Sequence, residues 1–467
     1  MRTASCIGGS GPPIWRDKPT TTSGGSTCCH NPNSITITRH LASQVAKEAL
    51  LKQTEAVIQS ARSYDARYPL PAGAGSDAVH SESEYCLAVT RLKTDGALAG
   101  SGIVLTLGEG NRIVCEIIDL LAPALVGKEI ESLMAGFGDF SRSLADHPQL
   151  RWLGPHKGAI HLALASLTNA CFDLWAKARG VPLWRLLLDL TPQQVVSLLD
   201  LSYLEDILTP DDALAILEKA RTTRTERESV LKSGYPGYDT SVGWFGYDDE
   251  RVGENARRAL DRGFRAFKLK VGSRDAERDI RRAHMLRELV GDECLVMLDV
   301  NQQWTLPRAL EMCRSLSDIS PYWVEEPTHP DDIAAHRKLV KAIAPMQVAL
   351  GEHVPNRVMF KNFMEAGAVH FVQADCTRLA GVSEFLAVAL VAQKFGLPVV
   401  PHVGDMGQIH QHLVLFNHIG LGQPVIFLEY IPHLRQHFVN PASVEGGFYK
   451  TPEVPGLSAD LVELMQA

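Results

Sequence analysis

Short apolar runs recur through the second half of the chain, and each ends in a residue able to do chemistry. They read Phe267–Val271 with Lys268 and Lys270, Leu295–Asp299, Tyr322–Glu325, Val348–Glu352, Val369–Asp375, Leu397–His402 and Val425–Glu429. From Lys270 to Glu429 the polar ends recur every 23 to 29 residues, the length of one strand, one helix and two short loops. Helical patterns fill the gaps at Ala276–Val290, Pro307–Leu316, Ile333–Ala344 and Val382–Phe395. Apolar strands with polar carboxyl ends predict a parallel barrel, whose strands are buried on both faces and whose site lies at the C-terminal rim. One acidic strand end would read as a helix cap. Seven polar ends at a near-constant period point to a site.

The barrel is expected over 191–432, starting near Val195–Asp200, with a helical insertion at Asp211–Ser233. Thr240–Tyr247 reads as a further strand or strand end. Residues 55–190 read as an α+β domain. Tyr85–Thr94 alternates as a strand, and Gly102–Leu107 is its hairpin partner after Asp95-Gly96. Helices are predicted at Asn111–Leu121, Glu131–Asp146 and Lys157–Arg179. The glycine-rich stretch Gly73–His80 has the composition of a lid, or of a plain exposed connector. Residues 433–467 read as a return pass over the first domain.

Residues 1–54 stand apart. Met1–Ser34 is rich in Gly, Ser, Thr and Pro and reads as disordered. The segment to Ala46 carries Arg2, Arg16, Lys18 and Arg39 against Asp17 alone, a weak transit-peptide signal. The composition, 45% apolar and 21% charged over 467 residues, is that of a soluble protein. A net charge of −8 argues against nucleic acid and anionic membranes as partners. No apolar run is long enough to span a bilayer. Nine cysteines without metal-ligand spacing fit reduced thiols inside a cell. The expected compartment is cytoplasmic, with a mitochondrial alternative from the N-terminal extension.

Asp299, Glu325 and Glu352 end three successive strands about 4.8 Å apart, so their carboxylates can converge. Crowded together they would repel, and a hard divalent cation resolves the conflict. Mg2+ is the natural candidate, with oxygen ligands at about 2.0–2.1 Å. Asn301 and Gln302 follow closely enough to orient ligands, and Asn301 is a candidate substrate contact. Lys268 and Lys270 point to one face of their strand, and two ammoniums so placed should depress each other's pKa. That would yield a neutral lysine able to act as general base. Asp375 is placed to hold the imidazole of His402 and raise its basicity. Glu429 on the last strand is a candidate substrate contact. A metal flanked by lysine and histidine suits removal of a proton α to a carboxylate, so the expected partner is a small-molecule carboxylate.

At these residues the chain resembles the enolase superfamily, whose Lys or His base and Mg2+-stabilised enediolate are a known pattern. The resemblance rests on Lys268-Leu-Lys270, Asp299-Val-Asn301-Gln302, Glu325-Glu326-Pro327, Gly351-Glu352, Asp375 and His402. Within this mandelate-racemase-like set it extends to the L-fuconate and L-galactonate dehydratase group. That likeness is carried by Ala66-Arg67-Tyr68-Pro69, Gly75-Ser76-Asp77-Ala78, Arg151-Trp152-Leu153-Gly154-Pro155, Gly243-Trp244 and Glu326-Pro327-Thr328. It implies an α+β capping domain with a lid on a (β/α)7β modified TIM barrel. It also implies dehydration of a six-carbon aldonate to a 2-keto-3-deoxy acid. Asp299, Glu325 and Glu352 would then bind Mg2+, Lys270 would be the base, and Asp375–His402 would protonate the leaving hydroxyl. Lys268 would help bind the carboxylate, and Glu429 and Asp77 would contact substrate. The chain departs from the group at Val403-Gly404-Asp405-Met406-Gly407, at His410 and His156, and at Leu201-Ser202-Tyr203. Racemisation, epimerisation or cycloisomerisation through the same intermediate, and a catalytically silent binding protein, stand as alternatives. Closed homo-oligomers are the usual expectation for soluble enzymes.

Overall fold

The computed structural model describes residues 56–81 and 84–465. The expected disordered extension and its transit-peptide signal lie outside the described residues. Three strands open the described chain: β1 (Ile58–Pro69), β2 (Glu84–Thr94) and β3 (Ala99–Leu107). They form an antiparallel meander in that order. Helices Gly110–Leu121 and Gly158–Ala178 pack on it, the second buried along nearly its whole length. The helix expected over Glu131–Asp146 is two, Ile130–Ala135 and Phe137–Ala145, because Gly136 at φ −131° and ψ 39° leaves the helical region.

The barrel does not start near Val195–Asp200. Thr191 and Gln194 there form a capping box, with Pro192 in the first turn, and launch the helix Pro192–Ser197. A local helix-start signal outweighed a short apolar run. The first barrel strand is β4 (Tyr235–Gly243), so Thr240–Tyr247 held only its end. Next come β5 (Ala266–Lys270), β6 (Leu295–Asp299), β7 (Val324–Glu325), β8 (Val348–Leu350) and β9 (Phe371–Val372), each parallel to its neighbour. Val399 bridges to Val372 in parallel, and β10 (Leu428–Tyr430) pairs with β4 and closes the ring.

The barrel floor is one apolar layer: Tyr238, Ala266, Met297, Trp323, Ala349, Phe371, Val400 and Phe427, none more than 6% exposed. Each comes from a different position around the ring. After the barrel the tail adds the hairpin Val444–Glu445 and Phe448–Tyr449 to β4. It then returns to the N-terminal domain. Asp460 accepts from Ser101 Oγ at 2.6 Å and from Lys177 Nζ at 2.7 Å, and Tyr68 donates to Glu463. Among the described residues no helix is long and apolar enough to cross a membrane.

Candidate active site

The period of a strand places the site. Side chains two apart share a face, so the floor residues predict what stands above them. Ala266 is followed inward by Lys268 and Lys270, Met297 by Asp299, Trp323 by Glu325, Val400 by His402 and Phe427 by Glu429. Phe371 leads through Gln373 to Asp375. Register brings Lys270 opposite Asp299, and Asp299 opposite Glu325. Glu352 breaks the rhythm. The inward position after Ala349 is Gly351, where a Cβ would sit 2.4 Å from the Gln373 backbone. The backbone there must stay bare, and the next residue carries the carboxylate.

Oxygens of Asp299, Glu325 and Glu352 all lie within 4.8 Å of one another. Lys268 Nζ reaches Glu429 Oε1 at 2.6 Å, Glu325 Oε1 at 2.7 Å and Asp299 Oδ2 at 3.4 Å. Lys270 Nζ donates to Asp299 Oδ2 at 2.6 Å. Four carboxyl groups crowd about the two ammoniums, and the convergence of three of them is an arrangement that a divalent cation would balance. Buried Asn301 adds an unpartnered Oδ1 to the cavity wall. An all-oxygen donor set of this kind fits a hard cation such as Mg2+.

Lys268 does pull the Lys270 pKa down as expected, but the net shift of both lysines is upward. Burial disfavours their charge, but the surrounding carboxylates outweigh it, and both pKa values lie above the ordinary lysine value. For Lys268 those acids are chiefly Glu325 and Glu429, and for Lys270 chiefly Asp299. Glu325 is raised by burial and by Asp299 and Glu429, against the pull of Lys268. Desolvation acts on Glu352 too, yet His402, His353 and Lys270 hold it well below the usual carboxylate range.

Across the cluster, Asp375 Oδ2 bonds His402 Nδ1 at 2.8 Å, leaving Nε2 3.1 Å from Glu352 Oε2. Burial works against a charged His402, but Glu352 and then Asp375 push its pKa up to about 9. Lys270, Glu352, His402, Asn301 and Glu429 line one cavity of about 550 Å3 together with Asp77. That volume is ordinary for a small-molecule site, about 300–1,000 Å3. Glu429 faces the cavity with its oxygens already held, by Lys268, by Thr240 Oγ1 at 2.5 Å and by the Val403 amide at 3.0 Å. Asp77 is similarly engaged, taking the Val79 and His80 amides at 2.7 Å and the His80 ring at 2.9 Å. Its loop lies docked on the strand end after β4, where Ser76 Oγ accepts from the Gly246 amide at 2.7 Å. The loop turns at Gly75, φ +67°, where a Cβ would meet Leu70 and Tyr85 below 3.0 Å.

Three cavity residues were not among the site residues expected from the sequence, although Trp244 belongs to a stretch that carries the resemblance. His353 Nδ1 bonds Glu326 Oε1 at 2.9 Å and stands 3.2 Å from Glu352 Oε1. Arg378 Nε donates to the Glu352 carbonyl at 2.8 Å. Trp244 lies 5.6 Å from Lys270 Nζ, measured to the ring centre. The signal for the first two was adjacency: one follows Glu352 directly, the other stands three residues after Asp375.

Residues 251–464 match the family described as enolase C-terminal domain-like, and residues 67–187 match the mandelate racemase / muconate lactonizing enzyme N-terminal domain. The chain is 40% identical over 409 residues to human mitochondrial enolase superfamily member 1, covering 85% of this chain and 92% of that protein. To L-galactonate dehydratase of Hypocrea jecorina it is 40% identical over 417 residues, covering 87% of this chain and 92% of that protein. The crystal structure of the human protein superposes with a TM-score of 0.86 at 39% identity, covering 88% of this chain and 96% of that one. L-talarate/galactarate dehydratase from Salmonella typhimurium LT2, liganded with Mg and L-lyxarohydroxamate, shares the fold. Its TM-score is 0.69 at 24% identity, over 89% of this chain and 93% of that one.

Proposed function

The chain belongs to the enolase superfamily, and on that premise we propose that it is a Mg2+-dependent hydro-lyase acting on a six-carbon acid sugar of the L-galactonate or L-fuconate type. The product is the 2-keto-3-deoxy acid. One observation carries the reading: three carboxylates converge within 4.8 Å, with Lys270 on one side and the Asp375–His402 pair on the other. The relative named L-galactonate dehydratase, matched along most of its length, supports the substrate class.

A divalent cation held by Asp299, Glu325 and Glu352 would supply positive charge to the substrate carboxylate as the enediolate forms. Lys268, fixed by Glu325 and Glu429 behind the cavity wall, supplies a permanent charge to the carboxylate cluster. Lys270 Nζ takes the C2 proton. It can do so only once Asp299 is engaged elsewhere, because the 2.6 Å ion pair otherwise keeps the amine protonated. The electron pair left at C2 forms the C2=C3 bond as the C3–O bond breaks. His402 Nε2 gives its proton to the departing hydroxyl, which leaves as water. The enol then ketonises at C2. Asp375 holds the imidazole charged until that transfer.

A panel of aldonates assayed for 2-keto-3-deoxy acid, with and without EDTA, tests the reading. Mg2+-dependent product from a galactonate-type acid is expected. No product from any acid sugar, with Mg2+ bound, would move the assignment to racemisation, epimerisation or cycloisomerisation. No Mg2+ binding at all would favour a silent binding protein. The basic, acid-poor segment to Ala46 and the relative named mitochondrial together favour a mitochondrial over a cytoplasmic location, which fractionation of tagged full-length protein measures. Light scattering measures the homo-oligomer expected of such enzymes.

A further inference from the structure

Asp375 serves two imidazoles. Its Oδ2 faces His402, and its Oδ1 accepts from the Thr377 amide and hydroxyl, both at 2.7 Å, and bonds His410 Nε2 at 2.9 Å. The Thr377 bonds are local, two residues away along the chain. His410 comes from elsewhere, from the first turn of the helix Ile409–Phe416. An ionised carboxylate only accepts, so Nε2 carries the proton in that bond. The Cys376 amide N–H is aimed at the same nitrogen at 3.2 Å, a bond open only to the tautomer with Nε2 bare, and it is longer than the 2.9 Å contact with the carboxylate; the Cys376 sulfur stands at 3.3 Å.

His410, Asp375 and Asp405 are all buried. His410 Nδ1 and Asp405 Oδ2 have no hydrogen-bond partner among the described residues, and burial raises the Asp405 pKa while His410 pulls it down. Unsatisfied buried polar atoms cost stability and call for a reason. Packing alone would be better served by an apolar side chain at 410. The loop leading into the helix that carries His410 is itself pinned, with Gly407 donating to Asp405 Oδ1 at 2.7 Å and the Ala442 amide to the Met406 carbonyl at 2.8 Å.

We propose that His410 is a positioning residue. It clamps the Asp375 carboxylate from the side opposite His402, so that Oδ2 stays aimed at His402 Nδ1 and Nε2 of His402 is presented to the cavity. The inference rests on the dehydratase reading for its kinetic arm only. In that reaction the clamp serves the second half: His402 Nε2 loses its proton to the leaving hydroxyl, the C3–O bond breaks and water departs. Proton abstraction by Lys270 does not use it.

The test compares His410→Phe and His410→Gln in the full-length, Mg2+-loaded protein. On the acid that the wild type dehydrates, kcat, KM and deuterium uptake at C2 of recovered substrate are measured together. His410→Phe should lower kcat about 10- to 100-fold, as lost outer hydrogen-bond partners do, with KM held within about twofold. The ratio of exchange to dehydration should rise. That ratio belongs to each folded site and does not move if part of the sample unfolds. Gln places an amide nitrogen near the Nε2 position and should restore most of kcat. Wild-type kcat in His410→Phe, or equal loss of exchange and dehydration without rescue by Gln, overturns the proposal. A second arm needs no substrate. The His402 Nδ1–H resonance in 15N-histidine-labelled protein should shift or exchange faster in His410→Phe and return in His410→Gln. An unmoved resonance overturns the clamp. A wild type that dehydrates nothing overturns the dehydratase reading instead, and the resonance arm still decides the role of His410.

Discussion

The floor and the mouth of the barrel are built on the same strands, two residues apart, and they are opposites. At the floor, Trp323 meets Tyr238 edge-on at 5.5 Å and tilts against Phe371 at 5.0 Å, in a layer with no charged member. At the mouth, one step along, the ionisable side chains of Lys268, Asp299 and Glu325 are buried as deeply. The floor gains free energy from every contact it makes. The mouth is a desolvated set of like charges, tolerated because each carboxylate finds an ammonium, an imidazole or an amide. The strand period lets one chain keep stability and chemistry in adjacent layers. Changes in the two layers should therefore fail in different ways.

The sharpest break is Glu325→Gln. A carboxylate whose pKa is raised already leans toward the neutral form, and Lys268 keeps Glu429 at 2.6 Å. Activity should fall about a thousandfold, the several kcal/mol that a bound cation supplies, with melting temperature unchanged or higher. A large loss of melting temperature would show that the mouth also holds the fold together. The reverse case is Phe371→Ala. It should cost about 3 kcal/mol of stability, the lower end for a buried ring, because Tyr322 and Trp323 can close in on the space. Its kcat per folded molecule should stay near wild type, and a drop in kcat beyond the loss of folded protein would couple the layers.

The mouth was legible in the sequence and the floor only in part, since Tyr238 precedes the stretch read as the first strand's end. Alternation from Met297 to Asp299 and from Phe427 to Glu429 could be read directly, because a strand buried on both faces leaves its period in the chain. Two things could not be read. The start of the barrel was hidden, because the apolar run after Thr191 looks like a strand and only the Thr191–Gln194 capping box marks it as a helix. The direction of the lysine shifts was hidden too. Spacing shows that Lys268 and Lys270 share a face, but not that Glu429 comes around the closed ring to 2.6 Å from one of them. His410 lies beyond reach for a related reason, since its partner Asp375 stands 35 residues back, past the end of the neighbouring strand. Local pattern gives the strands. Closure decides the electrostatics.

Metal addition sharpens the contrast further. At Mg2+ a hundredfold above its Kd, the folded state should gain about 2.7 kcal/mol by mass action, read as a rise in melting temperature that EDTA removes. Phe371→Ala should keep that rise, since the Phe371 ring contacts Tyr322 and Trp323 and offers no hydrogen bond to a ligand carboxylate. Glu325→Gln should lose most of it. Equal responses in the two variants would mean that the ion binds away from the three carboxylates.

The smallest expected effect falls on a floor residue that also touches the mouth. Trp323 lies in the floor, yet its Nε1 donates to Glu325 Oε2 at 3.0 Å. Trp323→Phe keeps a ring in the layer and removes that donor. Glu325 would then lose the bond that fixes its second oxygen, and Mg2+ affinity should fall about tenfold, the low end for a lost outer partner. A tenfold loss is about 1.4 kcal/mol, smaller than any of the effects above. Calorimetric Mg2+ titration of the variant reads it without substrate. If affinity is unchanged while the melting temperature falls, Trp323 acts as packing alone and the two layers are independent even where they touch.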